Sequence, residues 1–193
     1  MTDIAIVYHS GYGHTKVQAE HVQRGAEEAG GTVSLLDAAD LQAPDEGPWD
    51  KLHGADAIIF GSPTYMGSVT GPFEQFADAT SKTWAQQGWK DKLAAGFTNS
   101  SSFAGDKQGT LQRMAVLAAQ HGMIWVPLGL MPGDPSHPGD DEDNLNRLGF
   151  YLGAAAQSDK DKGPDEVPRS SDLATARHLG RRVVEVAGRY RAA

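Results

Sequence analysis

The chain has 193 residues, enough for one α/β domain (1–193) and short for two. Its formal charge of −8 argues against a nucleic-acid footprint, which needs a basic face, and the absence of cysteine removes disulfides, thiolate metal sites and cysteine nucleophiles. No run is apolar and long enough for membrane insertion, and Met1-Thr-Asp leads into a strand with no room for a signal peptide, so a cytoplasmic protein is expected.

Ile4 to Tyr8 is a short apolar run suited to a parallel strand buried on both faces. It runs straight into His9-Ser-Gly-Tyr-Gly-His-Thr15, where glycines, hydroxyls and unpaired N–H groups meet the start of a helix. Those N–H groups and the positive end of the helix dipole make an anion site. Val17, Ala19, Val22, Ala26 and Ala29 then recur at helical spacing from Lys16, and Gly30-Gly31 ends the helix. A strand over 32–36 and a Pro44–Pro48 loop lead to a third strand over 57–60. A helix over 72–81, with Pro72 in its first turn, precedes a strand over 93–97 and its exit loop, Asn99–Gly105. A helix over 110–120, a strand over 123–126 and a last helix over 171–190 complete the pattern. The alternation predicts an α/β fold, a doubly wound five-stranded parallel sheet with helices on both faces. In such sheets ligands bind beyond the carboxyl ends of the strands, which here means the loops at Ser10, Ser62 and Asn99. One stretch stands apart: Met131–Asp143 has three prolines, two glycines and five acids, too long and polar for a tight connection.

Spacing narrows the anion. A Walker loop closes in Gly-Lys-Ser/Thr, whereas here Lys16 follows Thr15, and a dinucleotide fingerprint needs a third glycine where Lys16 stands. The remaining pattern, Ser-x-x-Gly-x-Thr, suits the single phosphate of a mononucleotide. No lysine or arginine lies inside the loop, so N–H and O–H donors are expected to hold the dianion without a counter-ion.

Five stretches together resemble one family: Ser10–Thr15, Phe60–Gly67, Thr83-Trp-Ala85, Asn99–Ser102 and His121–Pro127. The chain is similar along nearly its whole length to the flavodoxin-like NAD(P)H:quinone oxidoreductases of the WrbA type. The resemblance implies strand order 2-1-3-4-5 and an FMN cofactor, its phosphate gripped by Ser10, Tyr12, Gly13, His14 and Thr15. Pro63, Thr64, Tyr65, Met66 and Gly67 would line the isoalloxazine ring, and Asn99, Ser100, Ser101, Ser102 and Phe103 would close its ribityl and ring side. Trp84 and His121 match positions on the substrate side, and would be catalytic. The implied activity moves a hydride from NAD(P)H to a quinone or similar small-molecule acceptor. The alternative is a flavodoxin-type carrier passing electrons between protein partners. Homodimers or homotetramers are implied as well, with Trp84, Trp89 and Phe103 as apolar surface to be covered.

Departures and plainer roles accompany the match. The family's glycine-rich third loop is replaced by Ser100-Ser-Ser-Phe-Ala-Gly105, and its Gly-Gly-Thr-Pro-Tyr-Gly stretch by Leu145–Gly153, which puts the acceptor in question. His121 could cap the preceding helix at Gly122, Trp84 could be a packing residue, and Trp125 reads as core. His9 and His14 lack convergent partners for a metal, and Asp140–Asp143 lacks the oxygen spacing of a calcium loop, so no metal site is expected.

Overall fold

The computed structural model describes residues 1–134, 136–137 and 141–191, so part of the acidic 131–143 segment, Asp140 included, lies outside the described residues. The chain runs β1 (Thr2–Tyr8), α1 (His14–Glu28), β2 (Gly31–Asp37), a 3₁₀ turn (Ala38–Asp40), α2 (Trp49–Gly54) and β3 (Ala57–Pro63). It continues through α3 (Gly71–Ala79), α4 (Ser81–Ala85), β4 (Leu93–Ser100), α5 (Lys107–Gln120), β5 (Ile124–Trp125), β6 (Ala154–Gln157) and α6 (Ser170–Arg191).

All strands are parallel, in the order β2-β1-β3-β4-β5 expected of the family. The fifth position differs from the single strand expected over 123–126. β5 pairs only with Leu93 and Ala94 at the start of β4, while β6 pairs with Phe97–Ser100 at its end. One edge position is therefore shared by two short strands. The chain leaves after Val126 because Pro127 has no N–H for the ladder. It returns as Ala154-Ala-Ala-Gln157, a run whose helix propensity hid it from a sequence reading but whose four residues are all buried beside β4.

Alternation along the strands makes two cores. Ala5, Val7, Ile58 and Phe60 face α2, α3 and α5, where Phe60, Phe73 and Phe76 pack ring against ring. Ile4, Ile6, Tyr8 and Ile59 face α1 and α6, against Val22, Leu179 and Val183. There the two helices touch backbone to backbone. A Cβ on Gly25 would fall 1.8 Å from the Arg177 carbonyl oxygen, and one on Gly180 would fall 1.9 Å from that of Val22.

Trp89, expected on an exposed surface, is fully buried within one of these cores, its ring centroid 4.6 Å from that of His121 in a tilted contact and its Nε1 donating to His53 Nδ1 at 3.3 Å. His121 ends α5, and its Nε2 lies 2.8 Å from Thr80 Oγ1, which itself donates to the Ala77 carbonyl. Burial pushes the His121 imidazole down to about 4. An unfolded histidine titrates near the ordinary 6.5, so between pH 6.5 and about 4 the unfolded chain binds the extra proton. Stability from this group is whole above pH 6.5 and lost as pH falls to about 4, a total of about 3 kcal/mol. Urea denaturation at pH 7 and pH 4.5 should show that loss, and His121→Gln should shrink it. Burial also lowers His21, His53 and His178, so some slope should remain.

Candidate functional site

The turn after β1 is built by Ser10. Its Oγ accepts from the backbone N–H of Gly13 at 3.1 Å and of Lys16 at 3.2 Å, folding the chain into the first turn of α1. Gly13 sits at the helix N-cap with φ +91°, and a Cβ there would lie 2.9 Å from the Pro164 ring. The N–H groups of His14 and Thr15 have no intrahelical partner, as in any first turn, and no cap side chain takes them. His14 and Thr15 both line a cavity of about 610 Å³ beyond the carboxyl ends of the strands.

Four segments wall that cavity. Ser10, Tyr12, His14 and Thr15 come from the first loop, Pro63, Thr64 and Tyr65 from the second, and Asn99, Ser100 and Ser101 from the third. The fourth, Ser158–Pro164, was not anticipated from sequence. Its only sequence signal is its place directly after a buried strand. Asn99 Oδ1 accepts from Ser158 Oγ at 3.1 Å, and His14 Nε2 meets the Lys162 carbonyl at 3.0 Å, so the two long-range loops are pinned to each other and to α1. The first loop itself holds no lysine or arginine, as read from sequence, but the fourth segment brings cations to the same cavity. Lys160 and Lys162 both line the cavity, although Lys162 is also 3.4 Å from Asp159.

Buried hydroxyls fix the second loop. Thr64 Oγ1 lies 2.9 Å from Thr98 Oγ1 and 2.7 Å from Thr110 Oγ1, and the Thr64 N–H donates to the Asn99 carbonyl at 2.8 Å. Ser62 Oγ accepts from the Thr70 N–H at 3.0 Å, and Thr70 Oγ1 holds His9 Nδ1 at 3.0 Å. Such satisfied networks rigidify what they join. Tyr65 meets Tyr12 edge to face with ring centroids 6.4 Å apart, and burial, with Tyr12 beside it, raises its phenol above the usual range. The third loop is held from behind: Gln157 Nε2 donates to the Ser101 carbonyl at 3.1 Å, and Lys107 Nζ to the carbonyls of Ser102 at 2.5 Å and Phe103 at 3.1 Å.

Other expected residues lie elsewhere. Gly13 shapes the turn without lining the cavity, and Met66, Gly67, Ser102 and Phe103 stand outside its wall, Met66 and Phe103 both exposed. His121 is buried behind Thr80 and Trp89, and Trp84 on α4 is about half exposed; neither lines the cavity. The divergent Leu145–Gly153 stretch does not reach it either. Gly149–Leu152 line a separate concavity of about 440 Å³ with Gln108 and Pro127. Arg113 is engaged by Glu74 at 2.6 Å and Arg147 by Asp172 at 2.7 Å. Among the described residues no group of three or more His, Asp and Glu is arranged to hold a metal, and no helix is long and apolar enough to cross a membrane.

Comparison with known proteins agrees with this layout. The profile of the family described as NADPH-dependent FMN reductase matches residues 6–133. Flavodoxin FldP of Pseudomonas aeruginosa is 44% identical, over 96% of this chain and 97% of its own. An NAD(P)H dehydrogenase (quinone) of Archaeoglobus fulgidus is 32% identical over 97% and 98%. The crystal structure of a flavodoxin, WrbA-like protein from Agrobacterium tumefaciens superposes with a TM-score of 0.74 at 41% identity, covering 98% of this chain and 99% of that one. By profile, by relatives across nearly its full length and by fold, the chain belongs to the NADPH-dependent FMN reductase family, in its WrbA-like, flavodoxin-fold branch.

Proposed function

We propose that the chain takes a hydride from NAD(P)H and passes two electrons to a quinone or similar small acceptor, using FMN seated in the four-walled cavity. The observation that carries this reading is the pairing of a hydroxyl-lined helix N-terminus with uncharged walls at Pro63–Tyr65 and Asn99–Ser101. One end offers N–H and O–H donors to a phosphate, with Lys160 and Lys162 nearby, and the other offers flat, neutral surface to a ring. A volume of about 610 Å³ lies inside the roughly 300–1,000 Å³ typical of small-molecule sites. The flavin, when bound, supplies the hydride chemistry. Ser10 and Thr15 hold the phosphate end, Tyr65 and Pro63 orient the ring, and Met66, Gly67, Ser102 and Phe103 border the opening where donor and acceptor enter in turn. Trp84 and His121 act indirectly in this reading. His121, neutral at pH 7, fixes the end of α5 to Thr80, and Trp84 is surface for a second copy in a homodimer or homotetramer.

The test is a steady-state screen of NADH and NADPH against benzoquinone, a naphthoquinone, an azo dye and ferric chelates, with FMN-loaded protein. Ping-pong kinetics are expected. Protein that binds no FMN and oxidises neither nicotinamide would sink the proposal. The 44% identical relative is named a flavodoxin, which favours a carrier as the second reading. Direct NAD(P)H oxidation without a separate reductase decides for the enzyme. The walls point the same way, since the first two loops carry no acid and Asp159 is the acid among the lining residues.

A further inference from the structure

Lys107 stands out near the cavity as a buried cation. It is fully buried at the first position of α5, where a long cation is rarely found unpaired with protein groups. Its ammonium is spent on the carbonyls of Ser102 and Phe103, while Gln157 takes that of Ser101. Three successive carbonyls of one loop are thus drawn toward the body of the protein. A trans peptide points its N–H opposite to its C=O, so the N–H groups of Ser102, Phe103 and Ala104 are directed away from these struts. None of those three N–H groups finds an acceptor among the described residues.

The charge matters separately from the geometry. Burial lowers the Lys107 ammonium to about 8, so at pH 7 it still carries its proton. The charged groups acting on it, Asp172 on α6 and Arg147 from the 126–153 excursion, are themselves paired at 2.7 Å, and their effects on it oppose each other. A positive charge in a poorly solvated place is felt strongly by its surroundings. A ring that takes up a hydride gains one negative charge.

We propose that Lys107 is a positioning residue of the FMN site, anchoring the Ser100–Phe103 loop and placing behind it a buried positive charge that favours the reduced, more negative flavin. This rests on the reading above that the ring end of FMN lies along the third loop. Lys107 touches no ligand itself and acts through the loop and through its field.

Two variants separate the parts. Lys107→Met removes both donor and charge, and Lys107→Gln removes the charge but keeps a donor. In flavin-free protein, amide hydrogen exchange at position 107 and at Ser158, whose N–H groups donate to the loop carbonyls of Ala104 and Ser100, should rise about tenfold or more in Lys107→Met and much less in Lys107→Gln. With FMN bound, both variants should bind the reduced flavin about tenfold less tightly relative to the oxidised form, which for a two-electron couple is a midpoint lower by about 30 mV. Unchanged exchange in Lys107→Met overturns the anchoring role, and an unchanged midpoint in both variants overturns the electrostatic one. Wild-type protein that binds no FMN overturns the underlying reading instead. That failure is distinguishable, because the exchange measurement needs no flavin.

Discussion

Gly13→Val is expected to weaken FMN binding at least about a hundredfold while leaving the sheet folded. The residue stands at φ +91°, where a β-branched side chain costs about 1–2 kcal/mol, and its Cβ would press on the Pro164 ring at 2.9 Å. The turn must shift, and with it the Gly13 N–H that Ser10 Oγ accepts. Each charge-assisted N–H bond to phosphate that is lost costs about 1.5–3 kcal/mol, so two of them account for the hundredfold. Flavin-fluorescence titration reads the affinity, and far-UV circular dichroism checks the fold. A valine variant that binds FMN within threefold of wild type would show that the anion is held somewhere other than this turn.

Gly25→Ala and Gly180→Ala should each lower stability by about 3 kcal/mol, the upper end of ordinary overpacking. The new methyl meets a backbone carbonyl, at 1.8 Å from Arg177 or 1.9 Å from Val22, and a backbone cannot rotate out of the way as a side chain can. α1 and α6 must therefore move apart, uncovering the core formed by Val22, Leu179 and Val183. The same helix supplies the control. Gly188 lies in α6 with nothing within 4 Å of its would-be Cβ, so Gly188→Ala should stabilise by about 0.5–1 kcal/mol through helix propensity alone. Urea denaturation of the three variants gives opposite signs within one pair of helices. Equal signs would mean that the crossing is looser than the carbonyl contacts require.

Reading from residues reached the parts of this protein where local chemistry dictates structure. The apolar run at Ile4–Tyr8, its glycine and hydroxyl turn and the amphipathic α1 are local, and all three stand where expected. Strand order and the convergence of the loops at Ser10, Ser62 and Asn99 follow from the alternation of strands and helices together with the family resemblance. What escaped depends on distant partners. Trp89 sits in a polar stretch and is buried because an apolar core, with His53 and His121, comes to it from other elements. The alanines of β6 prefer helix until β4 offers them an edge. Lys160 and Lys162 become cavity residues only because Asn99 and His14 hold their loop, and no periodicity announces such a tie. The sequence places Trp84 and His121 by likeness alone, and neither lines the cavity in a single chain.

The shared edge of the sheet also sets an order of completion. A chain ending at residue 150 would already own the three glycine- and serine-rich loops, yet Phe97–Ser100 would show an open row of backbone donors and acceptors where β6 belongs. Such an edge invites another strand. The fourth wall and α6, which clamps α1, both arrive in the final quarter of the polypeptide. During synthesis the ligand pocket and the protection of that edge are therefore acquired in one late step, so truncation before β6 forfeits cofactor capture and resistance to aggregation together.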